Sequence, residues 1–352
     1  MKLSEYIRWF FNGTSPNAQR SRRIAKIVFL VVLFIGLFWI IPVDQVVKAV
    51  LSAEPRLLII GFLFSFFSTC LTAVQQWVLV RKQRISLNVF QVLGINLAAK
   101  FYSQFSPWNI VGSGYKWYRL SKPDGKPAEA LAALAFFRLM ETFLNIALGL
   151  FFFLLSGQDS FQINVGWFVL FIIAITLTWF LITRYSVPVY NWFTARPWAV
   201  WEMPVWKRIL PKLEKFLKAV SAYADFSALE LFLAIAAGVI SQMAGVTSNL
   251  FIANSIGIQL SFLDMGWIYA VVILISQMPF AFANGLGFRE VSLVFLFGIF
   301  DIGGELALAF SFLLFIRGVL ISLVGGAWEA VEAVRLKRPP DLNVIKDELK
   351  DP

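Results

Sequence analysis

The stretch SQFSPWNIVGSGYK, Ser103 to Lys116, is echoed by SQMPFAFANGLGFR, Ser276 to Arg289. Each begins Ser-Gln, meets a proline within a few residues and closes on Gly-x-Gly, an aromatic and a base. Ser103 and Ser276, Gln104 and Gln277, Gly112 and Gly285, Gly114 and Gly287, and Lys116 and Arg289 all stand 173 positions apart. A phrase repeated at one offset implies repeated architecture, and the same offset organises the rest of the chain.

Of the 352 residues, 59% are hydrophobic and only 15% are charged. Soluble domains carry about a quarter charged residues, so this is an integral membrane protein, one bundle of helices rather than two soluble domains. The net charge of +10 is what a membrane protein gathers on its cytoplasmic side, and no nucleic-acid partner is expected. One cysteine, Cys70, and no histidine exclude a disulfide framework, a His-ligated metal site and a histidine general base. No metal and no cofactor are expected. The first apolar run follows the basic RSRRIAK and ends in WIIPVDQ. It lacks the small-residue cleavage site of a signal peptide and reads as a true span.

Long apolar segments lie at about 24–42, 57–80, 87–106, 128–155, 165–183, 229–253, 264–284, 288–300 and 305–328. A span needs roughly 20 apolar residues. Segment 87–106 is interrupted by Asn96, Lys100 and Gln104, and 288–300 is short. Basic residues place 1–23, 81–86, 107–127, 185–228 and the tail 329–352 in the cytoplasm; loops 156–164 and 254–263 carry no base and read outside. Segment 87–106 therefore begins and ends inside, and 264–303 begins and ends outside. Each must dip in and return.

The offset of 173 carries 57–80 onto 230–253, 87–127 onto 260–300 and 128–155 onto 301–328. The partners run in opposite directions, as in the inverted-topology repeats of many transporters. The expected fold is all-α: a polytopic transmembrane helix bundle with two re-entrant hairpins in an inverted-topology repeat. A single transmembrane domain, 24–328, has halves of about 57–155 and 230–328. The connector 185–228 places Trp206, Ile209, Leu213, Phe216, Leu217 and Val220 at helical spacing among lysines. It is either a basic amphipathic helix on the inner leaflet or a packed cytoplasmic connector.

Backbone that turns inside a bilayer must be satisfied by protein or by a wet cavity. Pro107 and Pro279, having no N–H to donate, stop the incoming helices. Gly112, Gly114, Gly285 and Gly287 read as turn residues, free to take positive φ. A helix starting after such a turn offers N–H groups and its positive dipole end to an anion. Lys116 and Arg119 follow one turn; Asn284, Arg289 and Glu290 mark the other. Lys100, Arg138, Glu141 and Arg317 are further charges inside apolar segments, where a charge is expensive and usually faces the interior. Together these residues read as the lining of a site for an anionic lipid headgroup. The bases also fit as anchors at headgroup depth, and Arg138 and Glu141, three apart on one face, also fit as a self-neutralising pair.

These motifs resemble the lysylphosphatidylglycerol synthase transmembrane-region family, the flippase-like membrane module of bacterial multiple peptide resistance factors. NGLGFRE, Asn284 to Glu290, is similar to the family's late Pro…Gly-Gly-Leu-Gly-x-Arg-Glu block. In GSGYK, Ser113 stands where the family has an acid, and Lys116 replaces its arginine. FRLMET keeps Arg138, with Phe137 in place of an acid and Glu141 in place of an aspartate. The resemblance covers about residues 25–330 and implies lipid translocation between leaflets. It does not imply aminoacyl-lipid synthesis, since the soluble synthase domain has no counterpart before Pro352.

The expected function is that of a lipid flippase, not an enzyme, moving an anionic phospholipid or a polyprenyl-phosphate-linked lipid. The expected setting is the cell membrane, multi-pass, with both termini cytoplasmic. Membrane lipids are the expected partners, and a homo-oligomer is left open. The alternatives are a non-transporting partner of a lipid or glycolipid pathway, or a membrane-embedded lipid-modifying transferase, for which the chain offers no paired-Asp motif.

Overall fold

The computed structural model describes residues 43–105, 110–157, 204–276 and 287–336, with isolated positions between 166 and 195. The helices are α1 (Val43–Leu51), α2 (Pro55–Lys82), α3 (Val89–Phe105), α4 (Ile110–Ser121), α5 (Pro127–Leu155), α6 (Pro204–Ser221), α7 (Ala228–Ser255), α8 (Phe262–Ser276), α9 (Phe288–Gly298) and α10 (Gly304–Leu336). Among the described residues no strand occurs. The expected span 24–42 and nearly all of 165–183 lie outside the described residues.

Local chemistry sets the helix limits. Pro55 and Pro127 open α2 and α5 at positions where a missing N–H costs nothing. Ser227 and Glu230 form a reciprocal capping box at the start of α7. Arg81 and Lys82 close α2, favourably placed at its negative dipole end. Helices α2, α5 and α7, with residues 304–332 of α10, are each 28 or 29 residues long and apolar enough to cross a membrane. At about 1.5 Å per residue they exceed the hydrocarbon thickness of about 30 Å. Helix α3 has 17 residues and α4 has 12, each short of a span.

The central contact is between α2 and α7, packed along their length. Ser68 Oγ donates to the Ser241 carbonyl at 2.9 Å, and Ser241 Oγ donates to the Ser68 carbonyl at 2.9 Å. Helix α3 packs on α10, and α8 packs on α5. Both contacts depend on small residues. A Cβ on Gly325 would lie 2.0 Å from the Leu97 carbonyl oxygen, and one on Gly149 would lie 2.4 Å from Ala270 Cβ. Asn145 Nδ2 donates to the Ala270 carbonyl at 2.9 Å.

Contacts also fix which helix ends meet. Ser86 N–H and hydroxyl donate to Asp124 at 2.6 and 2.9 Å, and Lys126 Nζ donates to the Arg84 carbonyl at 2.7 Å. These bring together the end of α2, the start of α3, the end of α4 and the start of α5. The hydrogen bonds from Ser86, the backbone N–H first, hold the Asp124 carboxyl below the usual carboxylate range. At the opposite end, Glu54 N–H donates to the Ser255 carbonyl at 2.8 Å. There Trp267 of α8 also meets Phe300, just past α9, with ring centroids 6.1 Å apart.

Gly112 and Gly114 correct the reading of them as turn residues. Both lie inside α4, and neither has positive φ. Gly112 is there for space: a Cβ would meet Ser103 Oγ at 1.9 Å and the Ala99 carbonyl at 2.5 Å across the α3–α4 contact. Gly287 does turn the chain, at φ 90° before α9, and Glu290 reaches back to accept its N–H. Pro107, Pro279, Asn284 and Gly285 lie outside the described residues. In the connector, α6 packs by its C-terminal end: Ala219 and Val220 are buried with Leu79, Phe136 and Tyr223. Lys212, Lys215 and Lys218 stay exposed.

Candidate functional site

Two polar stripes face each other inside apolar helices. On α2, Ser65, Thr69 and Thr72 follow the i, i+4, i+7 spacing of one helical face; on α3, Asn96, Lys100 and Ser103 repeat it. Helix α4 adds Gly112, Ser113 and Lys116, α5 adds Arg138 and Glu141, and α10 adds Arg317 and Ser322. These side chains line one cavity of about 540 Å³. Lys100 and Arg138 are each 11 residues into their helices, and Arg317 is 13 residues into the span of α10. The cavity therefore lies well inside the bundle rather than at a helix end.

Its charges are held mainly by neutral groups. Lys100 Nζ donates to Thr69 Oγ1 at 2.8 Å. Arg317 donates to Ser248 Oγ at 2.9 Å and Asn249 Oδ1 at 2.6 Å. Lys116 Nζ sits over the Phe137 ring, 4.9 Å from its centroid, a cation–π contact. Glu141 is the one carboxylate among the described lining residues and lies 3.5 Å from Arg138. The Arg138 side chain is 54% exposed, so this pair contributes less than about 1 kcal/mol to stability. Lys100 and Lys116 both lie within electrostatic reach of Glu141. Asn96 is only 5% exposed, yet neither side-chain amide atom has a partner among the described residues. Buried amides normally are paired, so Asn96 offers a donor and an acceptor to whatever enters.

Other expected site residues lie elsewhere. Arg119 pairs with Glu332, and Tyr115 donates to Glu329, tying the end of α4 to the end of α10. Arg119 thus belongs to a crevice of about 630 Å³ lined also by Leu87, Ile95, Trp328 and Val331. Arg289 does not line the polar cavity either, so it is not brought together there with Lys116. It donates to Ser311 Oγ at 3.0 Å and to Glu290 at 2.8 Å, and Ser311 Oγ donates to Glu290 at 2.7 Å. Glu290 is 5% exposed: its adjacent arginine, a serine and the Gly287 N–H satisfy it internally. Among the described residues no group of three Asp, Glu, Cys or His side chains could hold a metal ion.

Sequence reasoning missed Ser65, Thr69 and Thr72, and saw Asn96 only as an interruption. The i, i+4, i+7 spacing of polar residues inside an apolar run is the signal that would have found them.

A sequence profile described as the lysylphosphatidylglycerol synthase TM region matches residues 23–326. No curated protein and no solved structure matches the chain.

Proposed function

The chain belongs to the lysylphosphatidylglycerol synthase TM-region family, and from that premise we propose that it carries an anionic lipid headgroup between leaflets through the α2–α3–α4–α5–α10 cavity. The observation that carries this reading is the placement of Lys100, Lys116, Arg138 and Arg317 around one cavity deep among membrane-length helices. A charge at that depth is expensive and marks a substrate path by default. Lys100, Lys116 and Arg317 bind the headgroup; Arg138 and Glu141 sit at its more exposed side. Arg119, Arg289 and Glu290 serve the framework. No covalent chemistry is invoked, and the occupants are membrane lipids.

The transport reading includes an inverted repeat of two re-entrant hairpins, α3–α4 and α8–α9. Several observations support it. Helix limits 55–82 and 228–255 differ by 173 at both ends. Ser68 and Ser241, also 173 apart, exchange reciprocal bonds, as residues beside a two-fold axis would. The α3–α10 and α8–α5 contacts are each other's counterparts under that offset, and Leu97 and Ala270, the residues approached by Gly325 and Gly149, differ by 173 (270 − 97). Basic residues Arg81, Lys82, Arg84, Lys122 and Lys126 cluster at one end, which supports reading that end as the cytoplasmic one. The setting is the cell membrane.

The test is translocation in reconstituted vesicles of a fluorescent phosphatidylglycerol and its phosphatidylcholine counterpart. Wild type should move the anionic lipid faster, and Lys100→Gln/Lys116→Gln should abolish that difference while the protein still elutes as a folded species. Equal rates for both lipids in wild type, or no effect of the double variant, would refute the proposal.

A further inference from the structure

Resting on the reading of the cavity as a headgroup site, we infer that its occupant carries two or more negative charges on phosphate, as a phosphate monoester or a diphosphate, rather than the single charge of a phosphodiester. Among the described residues the lining sets four cations, Lys100, Lys116, Arg138 and Arg317, against one carboxylate, Glu141. Three positive charges are left without a counter-charge from the lining. Thr69, Ser248 and Asn249 solvate two of the cations but neutralise neither. Nor does the sequence that joins α3 to α4 or α8 to α9 carry a counter-charge. The segments SPWN, 106–109, and QMPFAFANGL, 277–286, contain no acidic residue.

The architecture itself does not require this excess. The residues 173 positions beyond Lys100, Lys116, Arg138 and Glu141 are Ile273, Arg289, Ser311 and Leu314. That set holds one cation, and Glu290 neutralises it at 2.8 Å. Positions that carry three cations and one carboxylate in the first half thus carry, in the second, a single arginine with its own acid; Arg317 of α10 adds the fourth cation to the cavity. A surplus kept inside apolar helices is costly and is relieved by a ligand that brings the missing charge. A phosphodiester would leave two positive charges unanswered. A monoester or diphosphate brings two or three negative charges and enough oxygens for what is free to donate: Lys116, whose described contact is the Phe137 ring, the Asn96 amide, and the guanidinium of Arg138. Charge-assisted bonds of that kind are the strong ones. The volume of about 540 Å³ accommodates such a group.

Full-length protein in lipid nanodiscs would be loaded with equal amounts of phosphatidylcholine, phosphatidylglycerol and phosphatidic acid of one acyl composition. The buffer would be at about pH 8, above the second phosphate ionisation near 6. Retained lipid would be counted by native mass spectrometry. Phosphatidic acid should be kept over phosphatidylglycerol by about tenfold or more. Lys100→Gln and Lys116→Gln should each reduce that ratio, and Lys212→Gln, on the exposed face of α6, should leave it unchanged. Equal retention of the two anionic lipids by wild type overturns the inference. If phosphatidylglycerol crosses vesicles but phosphatidic acid is not preferred, translocation stands and this inference falls. If phosphatidic acid is preferred but no lipid crosses, this inference stands and translocation falls. Displacement of phosphatidic acid by inorganic diphosphate supports recognition of the phosphate itself. Binding of diphosphate with no retention of phosphatidic acid would make the occupant a soluble phosphate and overturn the lipid assignment.

Discussion

Gly112→Ala and Gly114→Ala, two residues apart in α4, should change stability by different amounts. Both glycines are helical, so alanine gains about 1 kcal/mol of helix propensity at each. At Gly114 a new Cβ meets nothing within 4 Å, so the gain is kept and the variant is more stable. At Gly112 the Cβ would lie 1.9 Å from Ser103 Oγ and 2.5 Å from the Ala99 carbonyl. Ser103 can rotate away, but the Ala99 oxygen is backbone and moves only if α3 and α4 part. Overpacking of that kind costs about 1–3 kcal/mol. Because the propensity gain is common to both variants, the difference between them isolates the steric part, about 1–3 kcal/mol, with Gly112→Ala the weaker protein. Equilibrium unfolding in mixed detergent micelles measures it directly. If Gly-x-Gly were a positive-φ turn, alanine would be strained at both positions and both variants would lose stability. Equal effects of the two substitutions would refute the helical placement and the close contact together.

A double-mutant cycle on Ser68→Ala and Ser241→Ala should give a coupling of about 0.5–1.5 kcal/mol in the same unfolding assay, whereas additive effects would deny the reciprocal bonds. Asn145→Ala should destabilise by about 1–2 kcal/mol, since it removes a buried donor and leaves the Ala270 carbonyl without it. Asp124 has a folded pKa held below its unfolded value of about 3.9, so its contribution is fully present above the unfolded value and is lost as pH falls below it through the folded pKa. The stability difference between wild type and Asp124→Asn, present at neutral pH, should therefore close below about pH 4; a difference that persists in acid would deny the Ser86 contact.

Helix limits were the most legible part of the fold. Apolar runs read as 57–80, 128–155 and 229–253 emerge as helices 55–82, 127–155 and 228–255, because hydrophobic length and opening prolines act locally. The cations of the site were legible for a similar reason: Lys100, Arg138 and Arg317 stand out against apolar neighbours. Their company was not. Both Arg119 and Arg317 read as headgroup ligands, yet Arg119 finds Glu332, 213 residues away, while Arg317 meets Ser248 and Asn249. Arg289 and Lys116 look equivalent too, and it is the neighbouring Glu290 that changes the meaning of Arg289. Gly112 was misread because glycine serves two ends, positive φ and close approach, with one spelling. Only the position of Ser103 across the helix pair tells them apart. Helix α1 has polar residues among its apolar ones and follows the first apolar run without a break, so the sequence reading passed over it.

Ser68 and Ser241 give and receive the same pair of hydrogen bonds. That is the contact of an isologous homodimer, in which one residue meets another as the other meets it. Such an interface does not depend on both helices sharing a polypeptide. The covalent connection between α5 and α7 supplies effective concentration, while the serines supply the fit. On the proposed inverted repeat, two separate copies inserted in opposite orientations would form the same pair, but they would be condemned to carry identical side chains. Joining the copies in one chain lifts that constraint. In the inverted repeat we propose, one half is then free to keep Lys100, Lys116 and Arg138, while the other settles into the self-contained Arg289–Glu290–Ser311 cluster.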